Sequence, residues 1–120
     1  MTKEIDTKEL ALSCARALEE RKGEDVRILD VRDALPITDY FILVTGRNRR
    51  HLRAMADDIR VLMRDELGRD VPREEGSNDT GRWLLLDLGD AIVHLFDAET
   101  RSFYDVDGLW ADAPRVAVSA

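Results

Sequence analysis

The sequence predicts an α/β domain, a mixed five-stranded sheet flanked by helices, and three observations carry that prediction. The stretch "RWLLLDLGDAIVHLF", Arg82 to Phe96, reads as two strands folded back on a Gly-Asp turn. Tyr40 to Thr45 is apolar on both of its faces, which suits a strand inside a sheet. Two further segments space their apolar residues at the helical period, and the order helix, strand, strand, helix, strands, helix implies a mixed sheet.

The elements follow in order. In "IDTKEL", Asp6 can cap a first helix, Glu9 can reach back toward it, and Ile5 can pack on Leu10 as a staple. That helix is expected to run to Lys22, with Gly23 supplying a left-handed stop. Leu10, Cys14 and Leu18 fall on one stripe, so the single cysteine reads as a buried thiol with no internal disulfide partner. Val26 to Arg32 is a strand, and "DALPIT" leads into the strand from Tyr40 to Thr45. Asn48 can cap a second helix whose Leu52, Met55, Ala56, Ile59, Leu62, Met63 and Leu67 face a core, before Gly68 ends it. Val71 to Glu75 can form a short edge strand, and Gly76 to Gly81 is a flexible loop by composition.

The hairpin has two unlike sides. A turn at Gly89-Asp90 pairs Leu88 with Ala91, Leu86 with Val93 and Leu84 with Leu95, a wholly aliphatic face. The opposite face pairs Asp87 with Ile92, Leu85 with His94 and Trp83 with Phe96. Asp97 can then cap a third helix to about Tyr104, and "DVDGLW" carries the chain to Trp110. Residues 1–114 are expected to make a single domain, and residues 115–120 a flexible tail that frays.

A chain of 120 residues, 44% hydrophobic, fits one compact core. Its formal charge of −7 repels phosphate backbones, disfavours autonomous nucleic-acid binding and suits a basic partner. Nothing near the amino terminus resembles a secretion signal, and no apolar run approaches the roughly 20 residues that span a bilayer. The expectation is a cytoplasmic protein without a membrane partner.

Candidate chemistry is sparse. Asp30, Asp39 and Asp87, with Asp90 beside the turn, could form an acidic metal cluster, although convergence cannot be read from spacing. Asp90 is more simply a turn residue. His94 has no cysteine or serine partner nearby, which leaves a packed structural ring or an interface ring as its main readings. "GRNRRHLR", Gly46 to Arg53, sets arginines against the positive end of a helix dipole. It either meets an anion there or forms a solvated face paired with Asp57 or Asp58. Phe103, Tyr104, Leu109 and Trp110 follow closely on Phe96; core packing is the default for such rings, yet aromatics beside an acidic rim are also what interfaces favour. Trp83 and Tyr104 are open between those two roles, and Phe103 leans toward the core.

"ILDVRDALPITDYFILVTG", "HLRAMADDI" and "GRWLLLDLGDAIVHLFDAETRSFYDVDGLWADAP" together resemble the ribosomal silencing factor (RsfS, or Iojap) family, from about Leu10 to Pro114. The resemblance implies a non-enzymatic protein without a cofactor that binds the large ribosomal subunit through its ribosomal protein number fourteen. Bound there, it would block joining to the small subunit and lower translation under nutrient limitation. It also implies a nucleotidyltransferase-like fold and a homodimer when free. The transferase site itself is not matched: "TGRNRRH" stands where such an enzyme would show Gly-Gly or Gly-Ser followed by paired acids on a strand. A metal-dependent enzyme using Asp30, Asp39 or Asp87 is the rival expectation. The matching motifs "GRW", "DLGD", "VHLF", "FYD" and "LW" put Trp83, Leu85, Asp87, His94, Phe96, Tyr104, Leu109 and Trp110 on the implied partner-binding surface. Arg47 and Arg49 depart from the small polar residues more usual in the family, and with Arg50 they leave room for a contact with ribosomal RNA.

Overall fold

A computed structural model describes residues 6–71, 73–76 and 82–118 of the chain. The elements are α1 (Thr7–Glu20), β1 (Glu24–Asp30), β2 (Tyr40–Gly46), α2 (Arg49–Leu67), β3 (Arg73–Gly76), β4 (Trp83–Asp87), β5 (Ala91–Asp97), α3 (Ala98–Phe103), α4 (Val106–Leu109) and β6 (Arg115–Val116). They form one sheet of six strands in the order β3-β4-β5-β2-β1-β6. Only the β2–β5 pair is parallel; the other pairs are antiparallel. The two-sided apolar β2 lies between β5 and β1, because only an interior strand can bury both of its faces.

Alternation along the strands divides the core. Ile28, Ile42, Val44, Leu84, Leu86, Val93 and Leu95 point to the side covered by α1 and α2, where they meet Leu18, Leu52, Met55, Ile59 and Met63. Leu29, Phe41, Leu43 and Phe96 point the other way and pack with Val106. Cys14 is fully buried on the α1 stripe with Leu10 and Leu18, and burial pushes its thiol up to about 12.

The hairpin register is the expected one: Trp83 opposes Phe96, Leu85 opposes His94 and Asp87 opposes Ile92. Gly89 takes a φ of 95°, open to glycine at little cost, and the Asp87 carboxylate accepts its N–H at 2.9 Å. Asn48 caps α2 by accepting the His51 N–H at 2.8 Å, and α2 ends at Gly68 as its spacing predicts.

Other expectations shift. Asp6 occupies the cap position of α1 without making a side-chain bond, while Ile5 lies outside the described residues. The left-handed stop falls on Lys22, at φ 67°, and not on Gly23. Gly23 is needed for close approach instead: a Cβ there would sit 2.6 Å from Val44 and 2.8 Å from the Leu18 carbonyl oxygen. Strand β3 starts at Arg73 and includes Gly76, and the rest of the expected loop, residues 77–81, is outside the described residues. The sheet has six strands where five were expected, because Arg115 and Val116, read as fraying tail, pair with Leu29 and Ile28. Pairing needs only the open edge of β1, and the Asp30 N–H donating to the Pro114 oxygen at 2.8 Å leads the chain onto that edge.

Candidate functional site

The mixed face of the hairpin is roofed by a short segment. Asp97 accepts the Thr100 N–H at 2.8 Å and starts α3 directly at the end of β5. The capped turn directs Arg101 inward, where its side chain is only 6% exposed. Its guanidinium donates to both Asp107 oxygens, at 2.7 and 2.9 Å, to the Asp25 carbonyl oxygen at 2.9 Å and to Thr45 Oγ1 at 2.9 Å. It also lies 5.3 Å from the centre of the Phe96 ring. Hydrogen bonding to Arg101 holds the Asp107 carboxyl below its usual range, and Arg27 adds a second bond at 3.0 Å. This ion-pair network fastens α3 and α4 to the ends of β1 and β2.

The roof divides the predicted partner-binding residues by depth. Phe96 is fully buried and His94 is 7% exposed, so neither forms the outer surface that the family resemblance implied for them. Both lie beneath it, Phe96 under Arg101 and His94 behind the Trp83 indole. Of the two readings left open for His94, the packed ring is the one found. Its ring stands edge-on to Phe41 at 4.7 Å, and its Nδ1 accepts the Trp83 Nε1–H at 3.3 Å. That bond leaves the ring proton on Nε2, which has no hydrogen-bond partner among the described residues. Burial pushes the pKa down to about 4, so the ring is neutral at pH 7.

Trp83, Leu85, Asp87 and Trp110 are half-buried, while Tyr104 and Leu109 are 54% and 74% exposed. Trp83 packs 5.3 Å from Tyr104 and Trp110 packs edge-on 5.0 Å from Phe41, so the outer rings rest on fixed inner ones. Phe103, which leaned toward the core, is 78% exposed and stands edge-on to Tyr104 at 5.0 Å. The signal that could have placed it is the phase of α3. If Arg101 faces inward, Phe103 faces out, but nothing local says that an arginine would be the inward residue.

The acidic residues do not assemble as a metal site. Asp30 sits at the end of β1, Asp39 and Asp90 meet by a backbone bond of 2.8 Å, and Asp87 is engaged by Gly89. Both Asp30 oxygens accept from Arg32, at 2.7 and 3.0 Å, which lowers its carboxyl pKa. Among the described residues no three histidine, cysteine or carboxylate groups come together to hold a metal ion.

At the far end of β2 the arginine cluster is built around His51, which is 5% exposed. Its Nδ1 accepts the Arg47 N–H at 3.0 Å, and its Nε2 donates to the Arg21 carbonyl oxygen at 2.8 Å. The imidazole thus ties the turn after β2 to the end of α1. The expected pairing of the cluster with Asp57 or Asp58 is not found. Asp58 is taken by Arg21 at 2.7 and 2.9 Å, and Glu74 takes Arg53 and Arg60. Arg47, Arg49 and Arg50 are exposed and make no ion pair with any described residue. Together with Lys22, Arg47 and Arg50 border an open groove of about 650 Å³.

Comparison with known proteins agrees with this architecture. A Chromobacterium violaceum protein of known crystal structure superposes with a TM-score of 0.82 at 30% identity, covering 89% of this chain and 88% of that one. The ribosomal silencing factor RsfS of Bacillus subtilis is 36% identical over 92% of this chain and 92% of its own length. Mouse "mitochondrial assembly of ribosomal large subunit protein 1" is 32% identical over 78% of this chain, which spans 41% of that longer protein. The family model "ribosomal silencing factor during starvation" matches residues 4–120. A match over nearly the whole length, on a fold whose hairpin, caps and exposed rings are those just described, places this chain in the ribosomal silencing factor (RsfS) family of translation regulators.

Proposed function

We propose that this protein binds the large ribosomal subunit through ribosomal protein number fourteen, on the face that meets the small subunit, and so blocks subunit joining when nutrients are short. One observation carries the reading: Phe103, Tyr104 and Leu109 stand exposed on a ridge with half-buried Trp83 and Trp110, and the rings beneath them are locked. Apolar groups of this size gathered on one side of a small domain mark an interaction site, and aromatic anchors are where binding energy concentrates. The net charge of −7 favours a cationic partner. Obstruction of this kind needs no chemistry, only a rigid body held at the joining surface.

Arg47, Arg49 and Arg50 supply a second, weaker contact. They are exposed past the end of β2, at the start of α2, where ribosomal RNA phosphate would relieve their conflict with the α2 dipole. Sedimentation of the purified chain with free large subunits tests the reading. The chain should travel with the subunits and suppress formation of whole ribosomes when small subunits are added, and Trp83→Ala should weaken both effects. A chain that stays at the top of the gradient with subunits in saturating amount refutes the proposal.

A further inference from the structure

The loop after β1 and the segment from α4 to β6 enclose an open groove of about 400 Å³ next to the exposed ridge. Half-buried Trp110 and Ala113 give it an apolar floor, and exposed Ala34, Asp33 and Asp112 stand at its edge beside the more covered Asp30. Among the described residues no lysine or arginine lines it. Trp110 is held edge-on against Phe41, so the floor does not depend on a ligand for its shape. The carboxylates are not equivalent. Asp30 is engaged by Arg32, whereas Asp33 and Asp112 are exposed and make no ion pair with any described residue.

We infer that this groove receives an arginine side chain of the protein partner, an inference that rests on the docking reading above and gives that partner a definite chemistry. An aliphatic arm ending in a cation is the group that an apolar floor with an acidic rim fits: the arm covers Trp110 and Ala113, and the guanidinium meets Asp33 and Asp112. The indole adds a cation–π contact, for which arginine is the commoner partner. Leu109 and Trp110 line the groove and also belong to the ridge, so an interface on the ridge continues into it. A nucleic acid is a poor occupant, since the rim would repel its phosphates.

The test has two arms. In the first, the folded ¹⁵N-labelled chain is titrated with acetyl-Gly-Arg-Gly-amide, with the matching citrulline peptide as an uncharged analogue and the lysine peptide for comparison. The arginine peptide should shift the Trp110 indole N–H and the amides of Ala34 and Ala113, the citrulline peptide should bind about tenfold more weakly, and Asp33→Asn/Asp112→Asn should lose the response. Equal binding of citrulline, or shifts that miss the groove, overturns the inference; stronger binding of lysine overturns the choice of arginine. In the second arm, the same double variant is measured against large subunits. Its affinity should fall about tenfold and depend less on salt, and unchanged affinity refutes the partner assignment. If the wild-type chain takes the peptide in the groove yet ignores large subunits, the ribosomal reading fails while the groove chemistry stands.

Discussion

The two faces of the β4–β5 hairpin come from one stretch of chain and meet different ends. On one face Leu84, Leu86, Leu88, Ala91, Val93 and Leu95 lie under α1 and α2, none more than 5% exposed. On the other, His94 and Phe96 are covered while Trp83, Leu85, Asp87 and Ile92 remain half-buried. The difference follows from what does the covering. Helices of 14 and 19 residues carry apolar stripes long enough to seal a whole sheet face. Helices of 6 and 4 residues carry no such stripe; Arg101 bonding to Asp25 and Thr45, Arg27 bonding to Asp107, and the buried Val106 hold them to the sheet. A face closed by short, latched helices leaves rings partly exposed at its margin.

The largest expected effect is on the sealed face. Leu86→Ala removes a fully buried side chain between sheet and helices and should cost about 2–5 kcal/mol of unfolding free energy in urea titration, while molecules that remain folded still bind large subunits. A loss of ribosome binding without a loss of stability would break the contrast between the faces.

Acid should act on the other face through His94. Its folded pKa of about 4 lies below the unfolded value near 6.5, so the unfolded chain binds the extra proton. The corresponding stability is fully present above about pH 6.5 and is lost as pH falls toward 4, amounting to about 2 kcal/mol between pH 7 and pH 5. Asp107, held below its ordinary 3.8, titrates under that window. Thermal unfolding across this range should show the slope in the wild type and a flatter profile in His94→Gln; equal slopes would mean that the ring is not sealed.

Trp83→Ala sharpens the comparison from the surface side. Because Trp83 is only half-buried, its loss should weaken association with large subunits by about 2 kcal/mol, roughly thirtyfold, and cost less in folding than Leu86→Ala does. The smallest effect belongs to the arginine cluster. Arg49→Gln/Arg50→Gln should raise helix stability by a few tenths of a kcal/mol per charge, because like charge is removed from the positive end of α2. The same variant should reduce the salt dependence of subunit binding, and an unaltered dependence would remove RNA from the reading.

Much of the scaffold was legible in the residues. The Gly-Asp turn with a strict alternation of two specified the hairpin register, and Asn48 and Asp97 announced the starts of α2 and α3 through cap chemistry that involves only neighbouring positions. The helical spacing of Leu10, Cys14 and Leu18 likewise placed the thiol in the core. The candidate surface was legible in composition and not in depth. Tyr104 and Leu109 are exposed and Trp83 and Trp110 half-buried, which resolves what the residues left open for Trp83 and Tyr104, while His94 and Phe96 are covered and Phe103 exchanged the core for solvent.

The sequence by itself determined which residues share a face, because strand and helix periods are properties of the local backbone and repeat every few positions. Tertiary structure alone decided which face is covered and by what. The burial of Arg101 depends on Asp107, Asp25 and Thr45 arriving from three separate parts of the chain, the partner of Asp58 is Arg21 on another helix, and β6 exists because β1 has an edge to offer. Ion pairs and edge pairings of that kind join groups far apart in sequence, so their energy leaves no periodic trace in the order of the residues.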